Sequence, residues 1–92
     1  VRHIPTDSIL YLEAVGLRHT LQMHLDNELL EFNSSLDHFA QQLGEGFWRC
    51  HRSFLVNRSR IRAVHLKEQT VELDNGETCL MSRKAKSEYR AE

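Results

Sequence analysis

The side chains best equipped for chemistry in this chain are its arginines, histidines and two cysteines, and many of them crowd one stretch. Between Phe47 and Lys67 stand Arg49, Arg52, Arg58, Arg60, Arg62 and Lys67, with His51 and His65, and no Asp or Glu interrupts them. A second acid-free stretch, Thr78 to Ser87, carries Arg83, Lys84 and Lys86. The acids gather elsewhere, at Asp26, Glu28, Glu31 and Asp37 and again from Glu68 to Glu77. A net charge of −1 therefore conceals a strong polarity along the chain. Arginine presents a planar donor fork that fits a phosphate or the O6 and N7 atoms of guanine. For an anionic partner, the distribution of charge matters more than its sum.

Catalysis has weaker support. Cys50 and His51 are adjacent, and a Cys–His pair can generate a thiolate nucleophile. Neighbours on a strand point to opposite faces, however, so these two are not expected to touch. There is no glycine-rich phosphate loop, GxSxG or HExxH sequence. The six histidines show no metal-ligand spacing, and a scattered Cys50, His51, His65 and Cys79 set is the one metal site the sequence would allow. The chain is not expected to be an enzyme, and no metal or cofactor is implied. Two cysteines do not make a disulfide framework, so the simplest expectation is a pair of reduced thiols in a cytoplasmic protein. Both nevertheless lie near the basic stretches. If antiparallel pairing makes their strands neighbours, Cys50 and Cys79 form a candidate redox pair, and the arginine and histidine beside Cys50 would lower its pKa.

The elements that must position these groups are mostly short strands. Ile9 to Val15 is apolar and ends at Gly16. Thr20 to Leu25 alternates, with Leu21, Met23 and Leu25 on one face. Asp26-Asn27 marks a turn, and Leu29 to Phe32 a third strand. Leu36, Phe39, Ala40 and Leu43 recur at helical spacing. Ser34 is the expected N-cap of that helix, Asp37 lies in its positive first turn, and Gly44 ends it. Extended segments follow at Phe47–Cys50, Ser53–Asn57, Ile61–Leu66 and Thr70–Leu73. Asp74-Asn75-Gly76 reads as a hairpin turn in which Asn and Gly both take positive φ. Glu77–Met81 returns as its partner strand, and Ser82 can cap a short basic helix from about Arg83 to Tyr89. The expected class is mainly β, small antiparallel sheets with one or two short helices, because the connections are too short for parallel crossovers. Phe54, Leu55 and Val56 are expected in the core, and His51 and Asn57 are read as structural. Arg18-His19, in the loop Gly16-Leu17-Arg18-His19, and Ser82-Arg83-Lys84, at a helix start, are candidate contacts to an anion.

These residues carry a family resemblance. Tyr11-Leu12-Glu13 leading to His19, then Leu25-Asp26-Asn27 and Leu30-Glu31-Phe32, resembles the first half of a LytTR-type DNA-binding domain. The run Phe47-Trp48-Arg49-Cys50-His51-Arg52-Ser53-Phe54-Leu55-Val56-Asn57 is similar to that family's central motif, and Asp74-Asn75-Gly76 with Ser82-Arg83 completes the match, which extends from about Ile4 to Tyr89. Cys50 and Asp26-Asn27 look most like the quorum-sensing response regulators of Gram-positive bacteria. The resemblance implies a ten-stranded fold that reads two successive major grooves of double-stranded DNA, and the minor groove between them, with loops. It places His19 and the Arg83-Lys84 pair at groove-reading positions, Arg52 toward the minor groove or a phosphate, and Arg49, Ser53 and Ser82 on the DNA backbone. Arg18 and Lys86 join them as basic neighbours. It further implies a cytoplasmic two-component regulator that dimerises on repeated promoter half-sites, with this 92-residue chain as one domain and a receiver domain missing before Val1.

Two other readings use the same residues. A small β module for protein–protein interaction could carry an incidental basic strip. A single-strand binder would need exposed aromatic platforms, yet Tyr11, Phe47, Trp48 and Phe54 sit in contexts suited to a core. No apolar run is long enough to span a bilayer.

Overall fold

The computed structural model describes residues 3–16 and 18–91; Leu17, named above in the first loop, lies outside them. Strands β1 (Ile9–Val15), β2 (Thr20–Leu25), β3 (Leu29–Asn33), β4 (Phe47–His51) and β5 (Phe54–Asn57) form a sheet in the order β3-β2-β1-β5-β4. Strands β6 (Ile61–His65), β7 (Thr70–Leu73) and β8 (Thr78–Leu80) form a second sheet in sequence order. Helix α1 (Leu36–Leu43) links β3 to β4, and α2 (Arg83–Ala91) closes the described chain. Every strand pairing is antiparallel, as the short connections require. Eight strands, not ten, are present among the described residues, with single 3-10 turns at Thr6–Ser8, Gly44–Gly46 and Arg58–Arg60.

The five-stranded sheet is covered on both faces, which explains why β1 is a continuous apolar run. On one face Leu12, Leu21, Met23, Phe47 and Leu55 pack beneath Leu36, Phe39, Ala40 and Leu43 of α1. On the other, Leu10, Tyr11, Trp48, Cys50 and Val56 meet Val71, Leu73 and Cys79 of the second sheet and Ala85 of α2. Alternation along a strand sends consecutive residues to opposite layers, while the register shift between Ile9 and Tyr11 lets Leu10 and Tyr11 both join the layer facing the second sheet. Phe47 thus enters one core and Trp48 the other.

Two polar devices join the layers. Asn57, 4% exposed, donates to the carbonyls of Thr6 and Ile9 and accepts from the amide and hydroxyl of Ser59, so its burial leaves no atom unpaired. Arg60 bridges the β2–β3 turn and the β7–β8 turn, at 2.6 Å to both Asp26 and Asp74.

Three local expectations need correction. Ser35, not Ser34, caps α1, since its hydroxyl accepts from the His38 amide; the Ser34 amide is committed to the carbonyl of His19. In the β7–β8 turn only Gly76 has positive φ. The Asn75 carboxamide instead accepts from the Glu77 amide, and Gly76 N–H closes the turn on Leu73, so a side-chain bond replaces the second left-handed residue. Finally, Leu55 and Val56 are buried but Phe54 is only half-buried. Its ring lies over the sheet between Tyr11 and His51, at 6.0 and 5.7 Å.

Candidate nucleic-acid interface

Three connections converge at one end of the five-stranded sheet, and backbone hydrogen bonds lock them together. The β1–β2 loop carries Arg18 and His19, both exposed. His19 holds φ 54°, a left-handed conformation uncommon outside glycine, and its carbonyl accepts from Ser34 at the entry to α1, 2.8 Å away. The β4–β5 turn carries exposed Arg52 and half-buried Ser53. The Ser53 carbonyl accepts from Ala14 of β1 at 2.9 Å, and its amide donates to His51 Nδ1 at 3.1 Å. The start of α2 follows. The Ser82 amide donates to the Cys50 carbonyl at 2.8 Å, and its hydroxyl caps the helix by accepting from the Ala85 amide. Rigid strands therefore aim all three basic loops from one rim.

Two open grooves, of about 400 and 440 Å³, flank the β4–β5 turn. The first is bounded by His19, Thr20, Ser34, Ser35, Asp37, Arg49 and Arg52. The second is bounded by Arg49, His51, Arg52, Ser82, Lys84 and Glu88. Arg49 and Arg52 form the ridge between them. Lys84, not Arg83, lines the second groove; Arg18, Arg83 and Lys86 lie outside both. Arg83 is exposed and Lys86 half-buried on α2.

The basic run does not survive as one positive strip. Arg60 is held by Asp26 and Asp74, Arg62 and His65 by Glu72, and Arg58 lies 5.7 Å over the Trp48 ring. Arg49 is also engaged, with Nη1 2.7 Å from Asp37 Oδ1, Nη2 donating to the Arg52 carbonyl and Nε to that of His51. Among the described residues, Arg18, Arg52, Arg83, Lys84 and Lys86 make no ion pair with an acid. Acids distant in sequence do this neutralising, so acid-free spacing could not reveal it. Asp37 was read only as a helix-dipole residue; its role at the groove rim carries no sequence signal beyond its place in the first turn of α1.

The family model described as the LytTr DNA-binding domain matches residues 1–91. The chain belongs to the LytTr DNA-binding domain family. It is 41% identical over 80 residues to Accessory gene regulator protein A of Staphylococcus epidermidis and 39% identical over 80 residues to the Staphylococcus aureus protein of that name. Each alignment covers 87% of this chain and 33% of the relative, so the chain spans about a third of the length of these curated relatives. A solved LytTr DNA-binding domain from a Bacillus cereus protein superposes with a TM-score of 0.81 at 29% identity, covering 96% of this chain and 83% of that one.

In this LytTr domain both thiols are free and buried. Cys50 lies on β4 and Cys79 on β8 of the other sheet, so their strands are not neighbours in one sheet; the two meet in the shared core. Cys50 Sγ donates to the Leu80 carbonyl at 3.3 Å. Burial pushes the Cys50 thiol up to about 12, outweighing the lowering by Arg49. The expected activation by neighbouring cations fails because desolvation of a thiolate is the larger effect. Burial, reinforced by Cys50, raises Cys79 as well. Among the described residues, no three His, Cys, Asp or Glu side chains gather in a metal-binding group, and no helix is long and apolar enough to cross a membrane.

Proposed function

We propose that this domain binds double-stranded DNA sequence-specifically through the three tied loops, as the transcription-controlling output module of a two-component response regulator. His19 and Lys84 read base edges in successive major grooves, and Arg52 enters or spans the minor groove between them. Arg18, Ser53, Ser82, Arg83 and Lys86 hold the phosphate backbone. The observation that carries this reading is the rim itself. Cations without acidic partners stand on three loops that backbone bonds fix in one register. Base readout needs side chains held on rigid supports, and Ser82 adds a capped helix start near the phosphates.

The curated relatives are about three times as long as the matched segment, and the proposal extends to a receiver domain beside this one, action in the cytoplasm and a dimer on repeated half-sites. A protein-interaction module fits less well, because among the described residues the exposed large apolar side chains are Leu29, Leu80 and Tyr89, on separate elements, and scattered residues of this kind are ordinary surface.

The test compares a duplex selected from a randomised library with a random duplex. His19→Ala should lose about 1–3 kcal/mol on the selected duplex and little on the random one, as expected for one base contact. Equal loss on both would remove His19 from base reading.

A further inference from the structure

We propose that Arg49 is a positioning residue: with Asp37 it clamps the β4–β5 turn so that Arg52 and Ser53 face the DNA, and it does not itself serve as a phosphate ligand. The inference rests on the DNA-binding reading above.

The geometry gives two reasons. First, the guanidinium is used in three directions at once. It reaches Asp37 on α1 and the consecutive carbonyls of His51 and Arg52, where β4 leads into the turn. Those two carbonyls belong to residues whose direction sets the ridge between the grooves. β4 also carries a register shift between Trp48 and His51, ahead of the His51–Phe54 pair that closes the turn, so Arg49 sits in the interrupted stretch of the ladder with β5. A side-chain fork replaces the missing bonds. Second, Asp37 is 87% exposed on its side chain and lines the same groove as His19 and Arg52. A lone carboxylate on a phosphate-facing rim would repel DNA. Paired at 2.7 Å with Arg49, it leaves the couple with no net charge, so the couple's contribution is geometric rather than attractive.

The sign of one substitution separates the two roles. If Arg49 were a phosphate ligand, Asp37→Ala would free the guanidinium, remove a repelling charge and tighten binding. If Arg49 positions the turn, Asp37→Ala weakens binding about two- to fivefold, the scale of an exposed ion pair, despite removing a negative charge. Binding to a random-sequence 30-base-pair duplex is measured across a salt series for the parent, Asp37→Ala, Asp37→Glu, Arg49→Lys and Arg49→Ala, and for Arg52→Ala with and without Asp37→Ala, with thermal melts to verify folding. The expected result is weaker binding for Asp37→Ala with an unchanged salt slope, recovery in Asp37→Glu, and loss in Arg49→Lys, which keeps the charge but not the fork. The Asp37→Ala effect should shrink in an Arg52→Ala background, which general destabilisation would not produce. Tighter binding by Asp37→Ala, or full retention by Arg49→Lys with a reduced slope in Arg49→Ala, overturns the proposal. A parent that binds no duplex overturns the DNA reading itself, a result distinct from either.

Discussion

The most discriminating structural prediction concerns two adjacent residues of β5. Leu55 is 1% exposed and sits in the layer under α1. Leu55→Ala removes three carbon atoms from a closed site. At about 0.8 kcal/mol per buried methylene the transfer loss is about 2.4 kcal/mol, and the cavity left behind raises the total to about 3–4 kcal/mol. Phe54 is larger, yet it is only half-buried. Phe54→Ala loses contact with Tyr11 and His51, while water can fill the space, so the cost should be about 1–2 kcal/mol. Urea titrations of parent and variants, with unchanged m values, measure both. The ranking opposes side-chain size. If Phe54→Ala cost more than Leu55→Ala, β5 would present the opposite face to α1, since a one-residue slip exchanges the two faces, and the layering derived above would be wrong.

Other expectations follow from the same packing. Because both thiols are buried and Cys50 is pushed up to about 12, an aromatic disulfide reagent at pH 7 should label neither at an appreciable rate in the native domain, and both in urea; rapid native labelling of Cys50 would contradict the packing of β4. The same condition should make operator binding slow to respond to peroxide, and a fast loss abolished by Cys50→Ser and equally by Cys79→Ser would point to a redox pair. Stability should also decline in acid. Asp74 is held below its ordinary value of 3.8 by Arg60, and Glu72 below 4.5 by His65 and then Arg62. Depressed carboxyls stabilise the fold above those ordinary values and lose that contribution as pH falls through the lower folded ones. Arg60→Gln should flatten the Asp74 part of this decline, and an unchanged acid profile would remove Arg60 from the account.

Much of the fold was legible because its signals are local. The alternation of Leu21 and Met23, the helical spacing of Leu36, Phe39, Ala40 and Leu43, and the capping serine before Arg83 each report on a few neighbouring residues. The central motif also marked Asn57 as structural, and its four side-chain hydrogen bonds bear that out. What sequence could not show was long-range. The half-burial of Phe54 depends on where the second sheet lies. The capture of Arg60, Arg62 and Arg49 by Asp26, Glu72 and Asp37 joins segments that spacing treats as separate. The reduced, buried state of the two thiols matches the simplest expectation, and only the direction of the Cys50 pKa differs: the charges near Cys50 are visible in sequence, and the layer that desolvates it is not.

The central claim, that a chain of net charge −1 binds DNA through a local cationic rim, is tested most directly by the salt dependence of duplex binding. Among the described residues, Arg18, Arg52, Arg83, Lys84 and Lys86 are five rim cations free of acidic partners. If all five displace counterions, log Kobs should fall against log salt with a slope of about −4.5, and a fourfold rise in salt should weaken binding roughly 500-fold. Arg52→Ala should reduce that slope by about one. A slope near zero in the parent domain, or no binding to any duplex at low salt, would contradict the account.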